Sequence, residues 1–166
     1  SEAIEHESLL LKSVATRADI NIDTSRMTLH ELRDLVKKHV GTDEDFMTVL
    51  VESFGFKNGI PADADMVFDV RCLPNPHWIP GLRAKTGLDE EIHAFLSKDE
   101  HVQRMINDIE ALLERWLPRF SANNRSYMTV AIGCTGGQQR SVYIVEKLKA
   151  HFEAKHNRIL ARHRDL

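Results

Sequence analysis

One stretch of the chain decides the fold: residues 127–148, which read YMTVAIGCTGGQQRSVYIVEKL. Its first part, up to residue 133, is a mostly apolar run of strand length. From residue 138 onwards, Val142, Val145 and Leu148 recur at helical spacing. Glycines occupy the turn between the two patterns. Since strands that alternate with helices build parallel sheets, this stretch predicts an α/β fold.

Similar patterns continue on both sides of this stretch. Apolar or β-branched runs predict further strands at residues 46–54, 66–72 and 159–162. Apolar side chains at helical spacing predict a long amphipathic helix over residues 99–116, which Pro118 ends, and a helix over residues 138–153. Together these elements predict a mostly parallel sheet with helices on both faces.

The beginning of the chain predicts a smaller, separate unit. Its patterns indicate a helix over residues 3–18, a short strand over residues 19–23, and a helix over residues 29–40 that begins with a capping box of Thr28 and Glu31. A polar break at residues 41–45 follows, and no apolar periodicity crosses it. We therefore predict two domains, residues 1–41 and residues 46–166.

Composition excludes several classes of protein. The chain has 166 residues, of which 42% are apolar and 28% charged, as in soluble globular proteins. It lacks the run of about 18 apolar residues that a membrane span needs, and it lacks a signal-peptide pattern, so we predict a cytoplasmic protein with no membrane partner. Cys72 and Cys134 alone cannot build a disulfide scaffold, and no pair of histidines has the spacing of a zinc motif. We predict neither a metal ion nor a cofactor.

Charge is distributed unevenly along the chain. Residues 1–52 hold 6 Lys/Arg against 11 Asp/Glu, a net charge of −5, whereas residues 138–166 hold 7 against 3, a net charge of +4. A basic end is compatible with an anionic partner. An ordinary solvated helix face with a charged terminus would have the same composition.

The loop at residues 133–141 carries the strongest chemical signal. It lies between a predicted strand and a predicted helix, where ligands bind in parallel sheets. Its glycines let the backbone approach a ligand, and the N–H groups and dipole of the helix favour an anion. Arg140 can make two parallel hydrogen bonds to a phosphate, and Thr135 and Ser141 add hydroxyls. These features predict a phosphate cradle, with a plain turn and Arg140 in a surface ion pair as the simpler alternative.

The same loop has the Cys-x5-Arg-Ser spacing of cysteine-dependent phosphatases. In that interpretation Cys134 is a nucleophile whose pKa is lowered by the helix N-terminus and by Arg140. The motif is short, however, and Gly133 stands where those enzymes usually carry histidine. A cysteine-dependent phosphatase is therefore the alternative function.

Two further loops and the chain end add candidate residues. Residues 71–78 follow a predicted strand and bring His77, on a proline-rich loop, toward the same crevice as the phosphate cradle. Residues 53–61 combine aromatic, basic and glycine residues, including Lys57, and could hold a nucleic-acid backbone, although the aromatic side chains alone would suit a core. Residues 158–164 alternate basic with apolar side chains, as a strand with one basic face would.

Several separate blocks resemble the C-terminal domain of the RapZ family of RNase adapter proteins, in the same order along the chain: residues 53–61, 65–78, 86–89, 116–118 and 124–146. The similarity covers most of residues 46–166. Residues 1–40 resemble the end of the family's N-terminal P-loop nucleotide-binding domain. Because the Walker A segment of that domain is not among them, we expect no ATP site in this chain.

The resemblance implies a regulatory adapter that is not an enzyme. Family members sense glucosamine-6-phosphate, bind small regulatory RNAs and present one such RNA to RNase E, which controls amino-sugar synthesis, and they form dimers or tetramers. The ligand pocket implied by the resemblance consists of His77, Cys134, Thr135, Gly136, Gly137, Gln139 and Arg140. The implied RNA contacts are Lys57, Asn58, Gln138, Arg140, Arg158, Arg162 and Arg164.

The chain departs from the family at one pocket position. Gln139 stands where family members typically have histidine. Glutamine keeps a hydrogen-bonding group but loses the titratable charge, so we expect a different affinity or pH dependence.

Overall fold

Four parallel strands form the sheet around which residues 45–166 fold. In the computed structural model they are β1 (Thr48–Gly55), β2 (Met66–Asp69), β3 (Tyr127–Cys134) and β4 (Ile159–His163), in the order β2-β3-β1-β4. The register pairs Gly55 with Cys134 and Asp69 with Gly133, so three strands end at the same edge of the sheet. The predicted α/β class with a parallel sheet is confirmed.

The structure describes residues 6–7, 11–12, 15–27, 31–32, 35–36, 39, 47–123, 125–155 and 158–166. The chain divides into two compact units, Ser1–Glu44 and Asp45–Leu166. In the first unit the residues described at 6–7, 11–12, 15, 31–32, 35–36 and 39 are helical, within the two predicted helices. The predicted break at residues 41–45 and Thr28 of the predicted capping box lie outside the described residues.

The predicted strand over residues 19–23 is wrong. These residues pair with none of the strands that the structure describes, and Ile20 is exposed. A strand is stable only when a neighbouring strand satisfies its N–H and C=O groups. An alternating apolar pattern does not by itself provide such a neighbour. The Asp23 carboxylate instead accepts the N–H of Ser25 at 2.9 Å, as in an Asx turn.

Three helices accompany the sheet: α1 (Glu90–Leu96), α2 (Glu100–Ala122) and α3 (Arg140–Glu153). Helix α2 begins after Asp99, whose carboxylate accepts the N–H groups of His101 and Val102 at 2.9 and 3.1 Å. The apolar pattern predicted α2 and α3 but not α1, since seven residues are too few to show a helical period. None of the described helices is long and apolar enough to cross a membrane.

The prediction that Pro118 ends α2 is wrong, because the helix continues to Ala122. Proline removes one backbone donor and crowds the preceding turn, at a cost of about 3 kcal/mol. Leu117 is buried in the core and Phe120 packs against it. Full burial of a large apolar side chain contributes about 1.5 to 3 kcal/mol, so buried Leu117 together with partly buried Phe120 offsets much of that cost.

Other element bounds differ from the predictions by a few residues. β2 ends at Asp69 rather than at residue 72, because the Asp69 carboxylate accepts both the N–H and the guanidinium of Arg71 and so turns the chain. Helix α3 begins at Arg140 rather than at residue 138. Phe46, the predicted first residue of β1, lies outside the described residues.

One face of the sheet shares a hydrophobic core with the helices. Val51, Val130 and Ile132 point from the strands into this core, where Leu113 of α2 and Leu148 of α3 are fully buried. Because β1 and β3 are buried along almost their whole length, both faces of these strands carry mostly apolar side chains.

The opposite face carries Glu52 and Phe54, both fully buried. Phe56, which follows β1, packs on Phe54 with ring centroids 4.8 Å apart. Arg162 of β4 donates to both carboxylate oxygens of Glu52, at 2.8 and 2.9 Å, and to Asp63 at 3.3 Å. A buried negative charge in an interior strand is thus balanced by an arginine on the neighbouring edge strand.

We expect Arg162→Ala to destabilise the fold because it leaves the Glu52 carboxylate buried without a counter-ion. Half of the Arg162 side chain is open to solvent, which screens the pair. The expected loss of unfolding free energy in urea titrations is therefore about 2 kcal/mol, below the roughly 3 to 5 kcal/mol of a fully buried pair. The double variant Glu52→Gln/Arg162→Ala should recover most of the loss. Arg104→Ala, which breaks an exposed pair with Glu100, should change stability little; an equal loss in both single variants would contradict this account.

Candidate ligand-binding site

A cavity of about 360 Å³ opens at the edge of the sheet where β1 and β3 end. The residues that line it are Lys57, Asn75, His77, Trp78, Arg83, Cys134, Thr135, Gly136, Gln138, Gln139 and Arg140. The structure thus brings together all the residues implied for the ligand pocket except Gly137, and it adds Lys57 and Gln138 from the implied RNA contacts.

Gly137 shapes the loop after β3 although it does not line the cavity. Its φ is 77°, in the left-handed region that favours glycine. A Cβ at Gly137 would lie 2.6 Å from the nitrogen of Gly55, and a Cβ at Gly55 would lie 2.7 Å from the carbonyl carbon of Gly136. The turn after β1 and the loop after β3 therefore pack backbone against backbone, as side chains would not allow. A Cβ on Gly136 would meet open space, so the backbone there remains accessible.

Cys134 is buried at the end of β3, and its sulfur is held from two sides. The Ser141 hydroxyl lies 3.1 Å from Sγ, and the Gly137 N–H donates to Sγ at 3.2 Å. Burial alone raises the pKa of Cys134. Hydrogen bonds from Ser141 and Gly137, with the nearby charge of Arg140, outweigh burial and hold the pKa of the thiol below its ordinary value.

Arg140 is almost fully buried and ties two loops together. Its Nη1 donates to the carbonyl oxygens of Arg71 and Leu73 at 2.9 and 3.0 Å, and its Nη2 donates to Thr135 Oγ1 at 3.3 Å. The surface ion pair considered as an alternative is not found among the described residues. Three of the five N–H groups of an arginine are thereby committed to the walls of the cavity.

Gln139 has a similar architectural role. Its Nε2 donates to the carbonyl oxygens of Leu82 and Lys85 at 2.7 and 2.8 Å. Both amide hydrogens are used in this way, whereas one nitrogen of a histidine ring carries at most one hydrogen. Glutamine at this position therefore holds the chain at residues 82–85 more fully than a single histidine nitrogen could.

The segment 75–83 forms the second wall of the cavity. The Asn75 side chain accepts the N–H of His77 at 3.3 Å, and Arg83 Nε donates to the carbonyl of His77 at 3.3 Å. The sequence pattern indicated His77 but neither Asn75 nor Arg83. Asn75 lies in the proline-rich loop at residues 71–78 and Arg83 lies beyond it, and no local pattern showed that their side chains would face the cavity.

Asp165, near the chain end, braces the turn after β1 and was not predicted. Its Oδ2 accepts the N–H of Gly55 at 2.6 Å and the guanidinium of Arg164 at 3.0 Å. Partial burial raises the pKa of Asp165, but hydrogen bonds from Arg164, Gly55 and Asn58 outweigh it and hold that pKa below its ordinary value. The turn that carries Lys57 is therefore fixed by a carboxylate distant in sequence.

The remaining residues implied for RNA binding lie outside the cavity. Arg162 and Arg164 line a separate depression beside β4, with Glu52 and Asp63. Arg164 also donates to the carbonyl oxygens of Gly55 and Gly59, so both guanidinium groups already have partners within the protein. Arg158 precedes β4, at the end of the sheet away from the cavity.

In the described part of the chain, no group of three His, Cys, Asp or Glu side chains is placed to hold a metal ion.

Comparison with known proteins places these features in a family. The family description "RapZ C-terminal domain" matches residues 47–166, and "RapZ-like N-terminal domain" matches residues 1–44. The chain belongs to the RapZ family. The match to the C-terminal domain covers the whole sheet, the three helices and every residue that lines the cavity.

Individual relatives agree with the family assignment. A nucleotide-binding protein of Cellvibrio japonicus is 58% identical over 166 residues, 99% of this chain and 56% of its own length. A nucleotide-binding protein of Nitrosococcus oceani is 54% identical, over 100% of this chain and 59% of its own length. The RNase adapter protein RapZ of Yersinia pseudotuberculosis is 52% identical over 165 residues, 99% of this chain and 58% of its own length. The chain therefore spans less than two thirds of these relatives.

We expect Asp165→Asn to lower stability at neutral pH by about 1 kcal/mol, because a charge-assisted acceptor of the Gly55 N–H is lost. A carboxyl group with a depressed pKa stabilises the fold above the pKa of the unfolded chain, about 3.9, and that contribution is lost as the pH falls through the folded pKa. The difference in unfolding free energy between wild type and variant, measured in urea, should therefore have its full value at pH 7. It should shrink as the pH falls below about 4. A difference that stays constant over this range would contradict the role assigned to the ionised carboxylate.

Proposed function

We propose that this chain is a regulatory binding protein rather than an enzyme. Its cavity binds a phosphorylated amino sugar, glucosamine-6-phosphate. The cations at the edge of the cavity, Lys57 and Arg83, bind a small regulatory RNA that the adapter presents to RNase E. The observation that supports this most directly is the pair of cations at the cavity, Lys57 and Arg83. Neither has an acidic partner among the described residues, so an anion would provide their counter-charge.

The phosphate end of such a ligand fits the loop after β3. The bare backbone at Gly136 and the beginning of α3 offer N–H groups and the positive end of a helix dipole. Thr135 adds a hydroxyl, and Arg140 adds charge from the cavity floor. Exposed Lys57 can approach from the turn after β1.

The amino group of the sugar would be recognised by neutral oxygens. No carboxylate lines the cavity among the described residues, but Asn75, Gln138 and Thr135 bring amide and hydroxyl oxygens. Such acceptors discriminate less strongly than a carboxylate would. We therefore expect the phosphate to supply most of the affinity and the amine to supply a smaller share of the specificity.

A phosphatase is not supported by the comparisons, and the arrangement of Arg140 weighs against it. In cysteine-dependent hydrolysis the arginine of the loop would hold the phosphoryl oxygens. Here the Arg140 Nη1 donates to the carbonyl oxygens of Arg71 and Leu73 instead. Binding without turnover is the function that this geometry favours.

The RNA and protein partners are carried over from the family. The Yersinia relative is named an RNase adapter protein, and for this chain we propose the same role, in the cytoplasm and as a homo-oligomer. Lys57 and Gln138 line the cavity and Asn58 follows Lys57 in the chain, so these three are the favoured RNA contacts, together with the charge of Arg140. Contacts through Arg162 and Arg164 would first have to displace their internal acidic partners.

We expect isothermal titration calorimetry to detect glucosamine-6-phosphate binding that weakens roughly tenfold in Lys57→Ala and in Arg83→Ala. Each variant loses one charge-assisted contact to the phosphate. Lys85→Ala is the matched control, because Lys85 pairs with Glu91 and does not line the cavity. Equal affinity in all four proteins would place the phosphate elsewhere.

Parallel titrations identify which part of the ligand is recognised. We expect glucose-6-phosphate to bind somewhat more weakly than glucosamine-6-phosphate, and glucosamine without phosphate to bind far more weakly. If inorganic phosphate binds as tightly as the sugar phosphate, the cavity is a bare anion site and the proposed sensing role is wrong.

A further inference from the structure

Trp78 presents most of its side chain to solvent at the edge of the cavity. It is 75% exposed, the highest exposure among the large hydrophobic side chains described. The other tryptophan, Trp116, lies on α2, is 45% exposed and does not line the cavity. Tryptophan is enriched at binding interfaces, and this exposed ring lines a cavity, so it is a candidate contact for a ligand.

The backbone that carries Trp78 is rigid. Pro76, His77 and Trp78 form one turn of 3-10 helix, with Pro76 at its first position and the Asn75 side chain accepting the His77 N–H. The N–H of Ile79 donates to the carbonyl of Pro76 at 2.9 Å, which closes the turn. Because the backbone of Trp78 is held by an ordered turn, a partner that stacks on the ring has to order the side chain but not the backbone.

Two cations line the same cavity as this ring. Lys57 and Arg83 line the same cavity as Trp78, and the His77 ring lies edge-on to the indole, with ring centroids 6.0 Å apart. An exposed aromatic face beside unpaired cations is the arrangement by which proteins bind single-stranded nucleic acid. The cations attract the backbone phosphates, and the ring stacks on a base regardless of its identity.

We propose that Trp78 stacks on a base of single-stranded RNA while Lys57 and Arg83 bind the adjoining phosphates. This inference rests on the RNA-binding part of the proposed function and adds the contact that recognises bases. It makes the segment 75–83 part of the RNA surface as well as a wall of the cavity. The indole contributes affinity for many base sequences rather than selection of one.

The experiment uses the 166-residue chain with Trp116→Phe, so that Trp78 is the sole fluorescent tryptophan. A short oligoadenylate is titrated alongside an inorganic polyphosphate of similar length, which has phosphates but no bases. We expect the oligoadenylate to quench Trp78 emission strongly and the polyphosphate to leave it nearly unchanged. Equal quenching by both would show that the ring senses charge rather than a base, and would overturn the inference.

Variants at position 78 then measure the contribution of stacking. Trp78→Leu should weaken oligoadenylate binding by about 5- to 150-fold and leave polyphosphate binding unchanged. Trp78→Phe should restore much of the loss, because a smaller ring still stacks. The log–log salt slope of oligoadenylate binding should be the same in Trp78→Leu as in wild type, because no cation is removed, whereas Lys57→Ala should flatten it by roughly 0.7. Trp116→Leu is the matched control and should bind as wild type does.

The outcomes separate this inference from the function on which it rests. If the wild-type chain binds neither the oligoadenylate nor a longer regulatory RNA, the proposed RNA binding itself is wrong. If RNA binds with equal affinity to wild type and Trp78→Leu, RNA binding stands and stacking on Trp78 is wrong. Loss of glucosamine-6-phosphate affinity in Trp78→Leu, with RNA affinity intact, would assign the ring to the sugar and would likewise overturn the inference.

Discussion

The cavity depends on one buried guanidinium, that of Arg140. Its bond to the buried Leu73 carbonyl satisfies an acceptor that water cannot reach, and with its bond to the Arg71 carbonyl it ties the loop after β2 to the beginning of α3. The neighbouring Gln139 binds the carbonyls of Leu82 and Lys85. Two adjacent side chains at one helix N-terminus therefore hold both ends of the segment that carries His77, Trp78 and Arg83.

This arrangement divides the cations of the site into two kinds. Arg140 is buried, and its N–H groups donate to backbone carbonyls and to Thr135. Its charge contributes to the positive electrostatic potential of the cavity, while its hydrogen bonds hold the surrounding loops in place. Lys57 and Arg83 are exposed and can follow a ligand. A buried arginine without these carbonyl partners would be costly to maintain, whereas an exposed one costs little until a ligand desolvates it. Under the proposed function, a ligand bound by Lys57 and Arg83 would not have to break the bonds of Arg140 to the walls.

The parts of this structure that could be predicted are those that depend on residues close together in the sequence. Strand β3, its glycine loop and α3 follow one another directly, so periodicity and two glycines indicated the fold and the loop that lines the cavity. The contacts of Arg162 with Glu52 and of Asp165 with Gly55 join residues 110 positions apart, and no local pattern reveals such pairs. At Pro118 the helix continues, against the propensity of proline, because Leu117 and Phe120 pack in the core. At residues 19–23 the predicted strand does not form, because none of the described strands pairs with it.

The position of Lys57 has a consequence for how the two proposed ligands interact. Lys57 is fixed to the cavity by the bond of its own N–H to the Thr135 carbonyl and by the brace that Asp165 gives to Gly55. A phosphate in the cavity and an RNA phosphate at its rim would both draw on this one ammonium group, and two like charges near a single cation repel each other. Under the proposed function the sugar phosphate must then weaken RNA binding by the same factor by which RNA weakens sugar phosphate binding. A metabolite signal would reach the RNA surface through a shared counter-charge, without any change in the fold.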